Sequence, residues 1–172
     1  MVAIATATKL PVIVLVGTGT YYDGTGDFDR TLAWYKSLFE RLPESLQKRV
    51  VYRPHPNEMA SHKVAVRIQG LFPKLDLLPL AERLCGDVAV FVGSLSSVLF
   101  EAGYAGHVVA RVRLREDAIP IFERHAEFSV DQLEDAAKWL EITCSGNKLV
   151  SGTPAARPLI DFHAAAEEVL SS

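Results

Sequence analysis

The sequence has few cysteines, no long apolar run and little excess of one charge. Its two cysteines, Cys85 and Cys144, lie far apart and without a C-x-x-C spacing, which excludes a disulfide scaffold and a cysteine metal framework and makes a reducing cytoplasm the expected location. The longest apolar run, 10–16, is far shorter than the roughly 20 residues of a membrane span. The polar, acidic segment after it argues against a signal peptide. A net charge of −3 gives no global reason to expect nucleic acid or an anionic membrane as a partner.

The composition is that of one globular domain. Of the 172 residues, 49% are hydrophobic and 23% are charged, which excludes disorder for most of the chain. A chain of this length buries roughly 70% of the surface that its unfolded form exposes, enough for a single core. We expect that core to span 10–142. The segment 143–158, rich in Ser, Gly, Thr and Pro, predicts a loop or linker, and 159–170 predicts a terminal helix.

Short apolar runs alternate with helical patterns along the chain. The β-branched run 11–16, ended by Gly17, predicts a strand buried on both faces. Apolar residues at helical spacing over 28–42, stopped by Pro43, predict a helix. The other predicted strands are 49–53, 75–78, 87–92 and 107–112. The other predicted helices are 59–72, 80–85, one that follows 93–97 and ends at Gly106, and 133–140 behind the capping-box sequence Ser129-Val-Asp-Gln132.

This alternation predicts parallel β-α-β units with right-handed crossovers, and hence an α/β fold with a doubly wound, mainly parallel open sheet in three layers. In the common strand order 3-2-1-4-5, the first and fourth strands are neighbours where the winding reverses. Ligands of such sheets bind beyond the carboxyl ends of the strands at that point. The loops 17–27, 54–57 and 93–97 are therefore expected to line the binding crevice.

The loop 93–97 (Gly-Ser-Leu-Ser-Ser) carries the strongest functional signal of the three. It leads from a buried strand into a helix, and the unpaired N–H groups and the dipole of a helix N-terminus favour an anion. Gly93 is a candidate binding residue as part of this loop, and the hydroxyls of Ser94, Ser96 and Ser97 add hydrogen-bond donors. One serine would be present for helix capping alone. Three serines favour a phosphate-binding loop, with simple capping as the alternative.

The sequence Arg53-Pro54-His55-Pro56 ends a strand at the neighbouring crevice position. Prolines on both sides restrict the backbone of His55, which suits a side chain that must be held toward a ligand. Its imidazole could bind a phosphate or protonate a leaving phosphate, and Arg53 could supply a second cation. The alternatives are a turn or buried histidine and an arginine that faces solvent.

The first crevice loop and the helix after the fourth predicted strand add weaker candidates. Gly17 and Gly19 would allow a ligand to approach the backbone closely, and Asp23 could act as a base, although an ordinary turn explains these residues as well. The loop is neither a G-x-G-x-x-G fingerprint nor a P-loop. Glu101 follows Ser97 by one helical turn and could accept hydrogen bonds from ribose hydroxyls, or it could simply be solvated. The remaining histidines show no metal-ligand spacing, and no G-x-S-x-G elbow is present.

Together these motifs resemble the nucleotide-binding half of GT-B glycosyltransferases, a Rossmann-like domain, and most of all that of bacterial sialyl- and polysialyltransferases. Those enzymes carry an acidic D/E-D/E-G motif, an HP motif and an SS/ST motif. Here the HP motif is His55-Pro56 and the SS motif is Ser96-Ser97. Arg53 to Pro56 also resembles the R/K-P-H-P sequence of CDP-glycerol glycerophosphotransferases. The acidic motif is only partly present, since Asp23-Gly24 follows a tyrosine.

The resemblance implies roles for several of these residues. His55, Ser96 and Ser97 would contact the phosphate and sugar of CMP, Glu101 would hold ribose hydroxyls, and Asp23 would correspond to the catalytic base. In the family, however, that acidic motif belongs to the other domain.

The expected function is the donor half of a glycosyltransferase of surface polysaccharide synthesis that uses CMP-sialic acid or a related cytidine-activated sugar. Transfer would be inverting and independent of metal and cofactor, because the histidine, the serines and the helix N-terminus would stabilise the departing phosphate.

Two-domain transferases need about 300 residues, so the chain corresponds to about half of one. An acceptor-binding domain or a partner chain would then be missing, and we expect the isolated chain to be inactive. The full enzyme could associate peripherally with a membrane. Two alternatives stay open: a stand-alone module that binds a nucleotide or a sugar phosphate without catalysis, and a small flavodoxin-like or epimerase-like enzyme.

Overall fold

A computed structural model describes residues 10–19, 26–94, 96–114 and 126–145 of the chain. In that part, five parallel strands form one sheet in the order β2-β1-β3-β4-β5. The strands are β1 (Ile13–Val16), β2 (Val50–Arg53), β3 (Val90–Gly93), β4 (Val108–Arg113) and β5 (Ala126–Ser129). The predicted α/β fold with a doubly wound, parallel, Rossmann-like sheet is confirmed.

Helices cover both faces of the sheet, which explains why the central strands are apolar at every position. One core cluster joins Ile13 and Leu15 to helices on one face, and a second joins Val14 and Val16 to Leu99 on the other face. The helices are α1 (Asp27–Arg41), α2 (Glu44–Gln47), α3 (Pro56–Ala60), α4 (His62–Leu71), α5 (Leu80–Cys85), α6 (Ser97–Tyr104) and α7 (Leu133–Ser145). None of these helices has the length and apolar character needed to cross a membrane.

The predicted elements differ from the observed ones at five places. The four-residue helix α2 was not predicted. The predicted strand 75–78 is only a single parallel bridge between Leu75 and Tyr52 on β2. The predicted helix 59–72 is two helices, because Ser61 between α3 and α4 has an extended backbone. Strand β5 was not predicted, and α7 continues through residues 143–145 of the expected loop. The rest of that loop and the predicted terminal helix lie outside the described residues.

The end of α6 follows its sequence signal. Gly106 has a left-handed backbone with φ of 88°, and its N–H donates to the carbonyl oxygen of Gly103 at 3.1 Å. The N–H of His107 reaches back to Ala102 at 3.0 Å, so the two bonds form a Schellman motif. The chain then enters β4 directly.

The buried side chain of His107 joins three elements at the amino edge of the sheet. Its Nδ1 accepts from the N–H of Ala89 at 3.1 Å, so Nε2 carries the proton and donates to the carbonyl oxygen of Leu84 at 3.0 Å. Burial lowers the pKa of His107 below its ordinary value, because the protonated ring would carry a charge away from water; the charge of Arg83 acts in the same direction and the hydrogen bond to Leu84 opposes it. This histidine has a structural role.

We expect the free energy of unfolding to decrease as the pH falls below about 6.5. The unfolded chain takes up a proton on His107 near that pH and the folded chain only at a lower pH. The contribution of His107 is therefore complete above pH 6.5 and is lost as the pH falls through the folded pKa, by up to about 1.4 kcal/mol per pH unit.

Urea denaturation at several pH values measures this loss of stability. The variant His107→Gln should lack that part of the pH dependence, whereas a change of the exposed His62 to Gln should retain it. Equal pH dependence in the wild type and in His107→Gln would show that His107 does not cause it.

Candidate functional site

A cavity of about 350 Å³ lies at the carboxyl edge of the sheet, beyond the ends of β1, β2 and β3. This is the point where the winding of the sheet reverses, since the chain leaves β1 toward α1 on one face and leaves β3 toward α6 on the other. The described residues that line it are Val16, Gly17, Thr18, Arg53, Pro54, His55, Pro56, Leu80, Ser96, Ser97, Val98 and Glu101.

Six residues singled out by the sequence meet in this cavity, and three others do not line it. The six are Gly17, Arg53, His55, Ser96, Ser97 and Glu101. Gly19, Gly93 and Ser94 are not among the lining residues. Ser94 is buried, and a Cβ atom at Gly93 would approach Leu99 Cδ1 to 3.0 Å, so Gly93 permits the packing of α6 on β3. Asp23 lies outside the described residues.

The two serines at the start of α6 both line the cavity, but only one of them caps the helix. Ser96 is the N-cap, and its hydroxyl accepts from the N–H of Val98 at 3.3 Å. Ser97 is the first helical residue and is exposed. Its hydroxyl and its N–H make no hydrogen bond to the described part of the chain. Capping therefore accounts for Ser96, whereas the donors of Ser97 are available to a ligand.

His55 is the N-cap of α3, and Pro56 is the first residue of that helix. The Nδ1 atom of His55 accepts from the N–H of Asn57 at 3.2 Å. In the neutral ring, the proton is consequently on Nε2. Nε2 makes no bond to the described residues and can donate to a ligand in the cavity.

Arg53 is anchored at the wall of the cavity rather than directed into solvent. Its side chain is 14% exposed, and Nη1 donates to Asp76 Oδ2 at 3.1 Å and to the carbonyl oxygen of Leu78 at 2.9 Å. Nε and Nη2 of Arg53 make no hydrogen bond within the described ranges. A guanidinium that is fixed at one nitrogen and open at two others is suited to bind an anion.

Asp76 holds Arg53 and Arg83 together. Its buried carboxylate accepts from Arg83 through Nε at 2.9 Å and Nη2 at 2.8 Å, in addition to Arg53. Burial opposes ionisation of Asp76, but the hydrogen bonds and charges of Arg83 and Arg53 outweigh it and lower its pKa. Because two cations surround one anion, this cluster keeps an excess of positive charge beside the cavity.

Sequence reasoning missed Glu58, the residue that holds the start of the first crevice loop. Its side chain is completely buried, and its carboxylate accepts from the N–H groups of Thr18 at 3.1 Å, Gly19 at 3.3 Å and His55 at 2.9 Å, and from the Tyr52 hydroxyl at 3.0 Å. The available signal was its position three residues after His55, the spacing of a capping box, but histidine is an unusual N-cap for that motif.

Two tyrosines lie beneath this site. Burial, together with the charge of Glu58, raises the pKa of both Tyr35 and Tyr52. Both therefore stay protonated donors. The Tyr35 hydroxyl donates to the carbonyl oxygen of Val16 at 2.8 Å and lies 3.2 Å from that of Val92, which joins the carboxyl ends of β1 and β3.

Gly17 and Gly19 of the first crevice loop are required by protein packing. A Cβ atom at Gly17 would lie 2.3 Å from Glu58 Oε2, and one at Gly19, where φ is +67°, would lie 2.5 Å from His55 Nδ1. The N–H groups of Thr18 and Gly19 donate to Glu58, so these two do not form a phosphate cradle. A bound anion would instead meet donors from β2 and from the start of α6.

The cavity thus combines three sources of positive potential with one carboxylate. Arg53, His55 and the N-terminus of α6 favour an anion, and Glu101 can accept from a hydroxyl group. Among the described residues, no group of three or more acidic, histidine or cysteine side chains is placed to hold a metal ion.

Comparison of the chain with family models, with curated proteins and with solved structures gives no match. The class of the protein rests on its own fold and cavity: an α/β protein with a Rossmann-like parallel sheet and, at the switch point, a cavity lined by both apolar and polar residues.

Proposed function

We propose that the cavity binds the phosphate of a cytidine nucleotide or nucleotide sugar, and that the chain is the donor half of a GT-B-like glycosyltransferase of surface polysaccharide synthesis. The convergence of Arg53, His55 and Ser97 on one cavity carries this proposal. These residues come from two strand ends that are remote in sequence, and ordinary capping or solvation does not require them to meet.

The phosphate would lie between the start of α6 and the end of β2. Arg53 would donate from its two open nitrogens, His55 from Nε2, and Ser97 from its hydroxyl and N–H. Each of these donors is held by the protein before the ligand arrives: Arg53 by Asp76, His55 by Asn57, and Ser97 by the helix. Such preorganised donors stabilise the charge that develops on a departing phosphate, which suits inverting transfer.

Glu101 and the resemblance to sialyltransferases support a nucleotide rather than a simple phosphate. Glu101 lies one turn beyond Ser97 on α6 and lines the same cavity, at a position from which it can accept from ribose hydroxyls. CMP-sialic acid or a related cytidine-activated sugar would be the donor. The acceptor site and the catalytic base would come from another domain or a partner chain.

A stand-alone module that binds nucleotides or sugar phosphates without catalysis is the second candidate. Glu101 is the one carboxylate among the described residues that line the cavity, so no second carboxylate is placed there as a base. Binding requires only the donors and the carboxylate that line the cavity. Because a donor half would also be inactive alone, the transfer assay with CMP-sialic acid must include a partner chain that supplies the acceptor site. Transfer in that mixture supports the donor half, and binding of CMP without transfer supports the module.

Calorimetric titration with CMP, CDP and inorganic phosphate tests the binding site. The wild type is expected to bind CMP or CDP, and His55→Ala and Ser97→Ala are each expected to weaken binding about tenfold, the effect of one hydrogen bond to a charged group. The matched controls His62→Ala and Ser45→Ala change exposed residues of α4 and α2 and should bind as the wild type does. No binding of CMP or CDP by the wild type, or equal binding by all variants, would refute the proposal.

A further inference from the structure

We infer that Glu58 is the positioning residue of this cavity: its buried carboxylate holds the loop after β1 against the start of α3 and thereby sets the orientation and the tautomer of His55. The consequence for ligand affinity rests on the proposed function, whereas the consequence for His55 does not.

The donors around Glu58 show that it acts through other residues rather than on a ligand. Oε1 accepts from the N–H groups of Thr18 and Gly19, and Oε2 accepts from the N–H of His55 and the hydroxyl of Tyr52. The carboxylate is completely buried and does not line the cavity. With two donors on each oxygen, it has no position left for a substrate.

Glu58 replaces the backbone hydrogen bonds that end with the sheet. The last ladder contact between β1 and β2 runs from the N–H of Gly17 to the carbonyl oxygen of Arg53 at 2.8 Å. Beyond this bond the segments that follow β1 and β2 separate, and their buried N–H groups must find other acceptors. Glu58 supplies them for both segments at once, so the loop after β1 and the start of α3 keep one relative position.

As a result, His55 is held by one contact at its backbone and two at its ring. Its backbone N–H is bound to Glu58, its Nδ1 accepts from Asn57, and its face lies against Gly19, where a Cβ atom would be within 2.8 Å of three ring atoms. The bond to Asn57 requires the first turn of α3, which the capping box of His55 and Glu58 stabilises. Loss of the carboxylate would release this turn and allow either ring nitrogen to carry the proton.

Nitrogen-15 NMR of the His55 ring in Glu58→Gln tests the inference without any ligand. Glutamine has the shape of glutamate, but its NH₂ group cannot accept from the backbone. The wild type should show the neutral ring protonated on Nε2 only, and Glu58→Gln should show a mixture of both tautomers. Affinity for CMP should fall about tenfold. The control Leu140→Ala disturbs the core at α7 and should change neither the tautomer nor the affinity.

The outcomes separate this inference from the proposed function. An unchanged His55 tautomer in Glu58→Gln would overturn the positioning role, whatever the affinity. A changed tautomer in a protein whose wild type binds no CMP, CDP or inorganic phosphate would overturn the proposed function and support the positioning role.

If Glu58→Gln does not fold, amide hydrogen exchange of the wild type tests whether Glu58 accepts from these N–H groups. Slow exchange at Thr18, Gly19 and His55 supports the bonds to Glu58. Exchange at the rate of an unstructured peptide contradicts these hydrogen bonds.

Discussion

Alanine at Gly17 is expected to lower the free energy of unfolding by about 3 kcal/mol. Its Cβ atom would lie 2.3 Å from Glu58 Oε2 and 2.7 Å from the backbone nitrogen of His55. The His55 nitrogen donates a hydrogen bond to Glu58 Oε2 at 2.9 Å, so neither atom can move away without breaking that hydrogen bond. Overpacking costs about 1–3 kcal/mol, and a buried polar group without its partner costs about 1–3 kcal/mol more. Chemical denaturation measures the change.

Gly70 provides the matched control for this substitution. It lies in α4, and a Cβ atom there would meet nothing within 4 Å. Alanine has the higher helix propensity, so Gly70→Ala should be neutral or stabilising by about 0.5–1 kcal/mol. If Gly17→Ala were as stable as the wild type, the close approach of β1 and α3 would be refuted.

Asparagine at Asp76 is expected to cost about 3–5 kcal/mol at neutral pH, because it leaves two largely buried guanidinium groups without their anion. The Asp76 side chain is 1% exposed and accepts from Arg53 and Arg83. Release of Arg53 from its anchor should also weaken phosphate binding in calorimetry. Asp29→Asn is the control, because its pair with Arg67 is exposed on both sides and should contribute less than about 1 kcal/mol.

The pH dependence of Asp76 gives a second measurement. Its pKa in the folded protein is lowered from the ordinary 3.8, so its contribution is present above about pH 3.8 and is lost as the pH falls through the folded pKa. Acid denaturation of the wild type should include this loss, and Asp76→Asn should not show it. A variant with wild-type stability at pH 7 and an unchanged acid transition would contradict the role of the ion cluster.

The fold and the position of the cavity were largely predictable from local patterns. A strand buried on both faces must be apolar at every position, and 13–16 and 90–92 are. Parallel strands require crossovers, and the first and fourth predicted strands proved to be neighbours at the switch point. His55 and Ser97 follow the second and fourth predicted strands, and because parallel strands end at the same edge of a sheet, both residues had to lie at that edge.

The elements that the sequence did not predict have weak local signals. Strand β5 is a four-residue edge strand with an exposed glutamate, Glu127, and it is defined by its pairing with β4 rather than by its own pattern. The segment after Lys74 looked like a strand because it is apolar. It forms one bridge to Tyr52, through the N–H of Tyr52 to the carbonyl oxygen of Lys74 at 2.9 Å and the N–H of Asp76 to that of Tyr52 at 2.8 Å, and the pairing goes no further.

The burial of Glu58 and Asp76 could not be predicted from the local sequence. Alternating apolar and helical segments were sufficient to place the strands, the crevice loops and the histidine and serine beside them, because those features depend on neighbours in the chain. Whether a carboxylate is solvated or completely buried depends on donors brought from elsewhere, and Glu58 receives two of them from residues about 40 positions away. Only the folded chain brings those donors within hydrogen-bond distance. The tertiary structure alone therefore decided how His55 and Arg53 are held at the cavity.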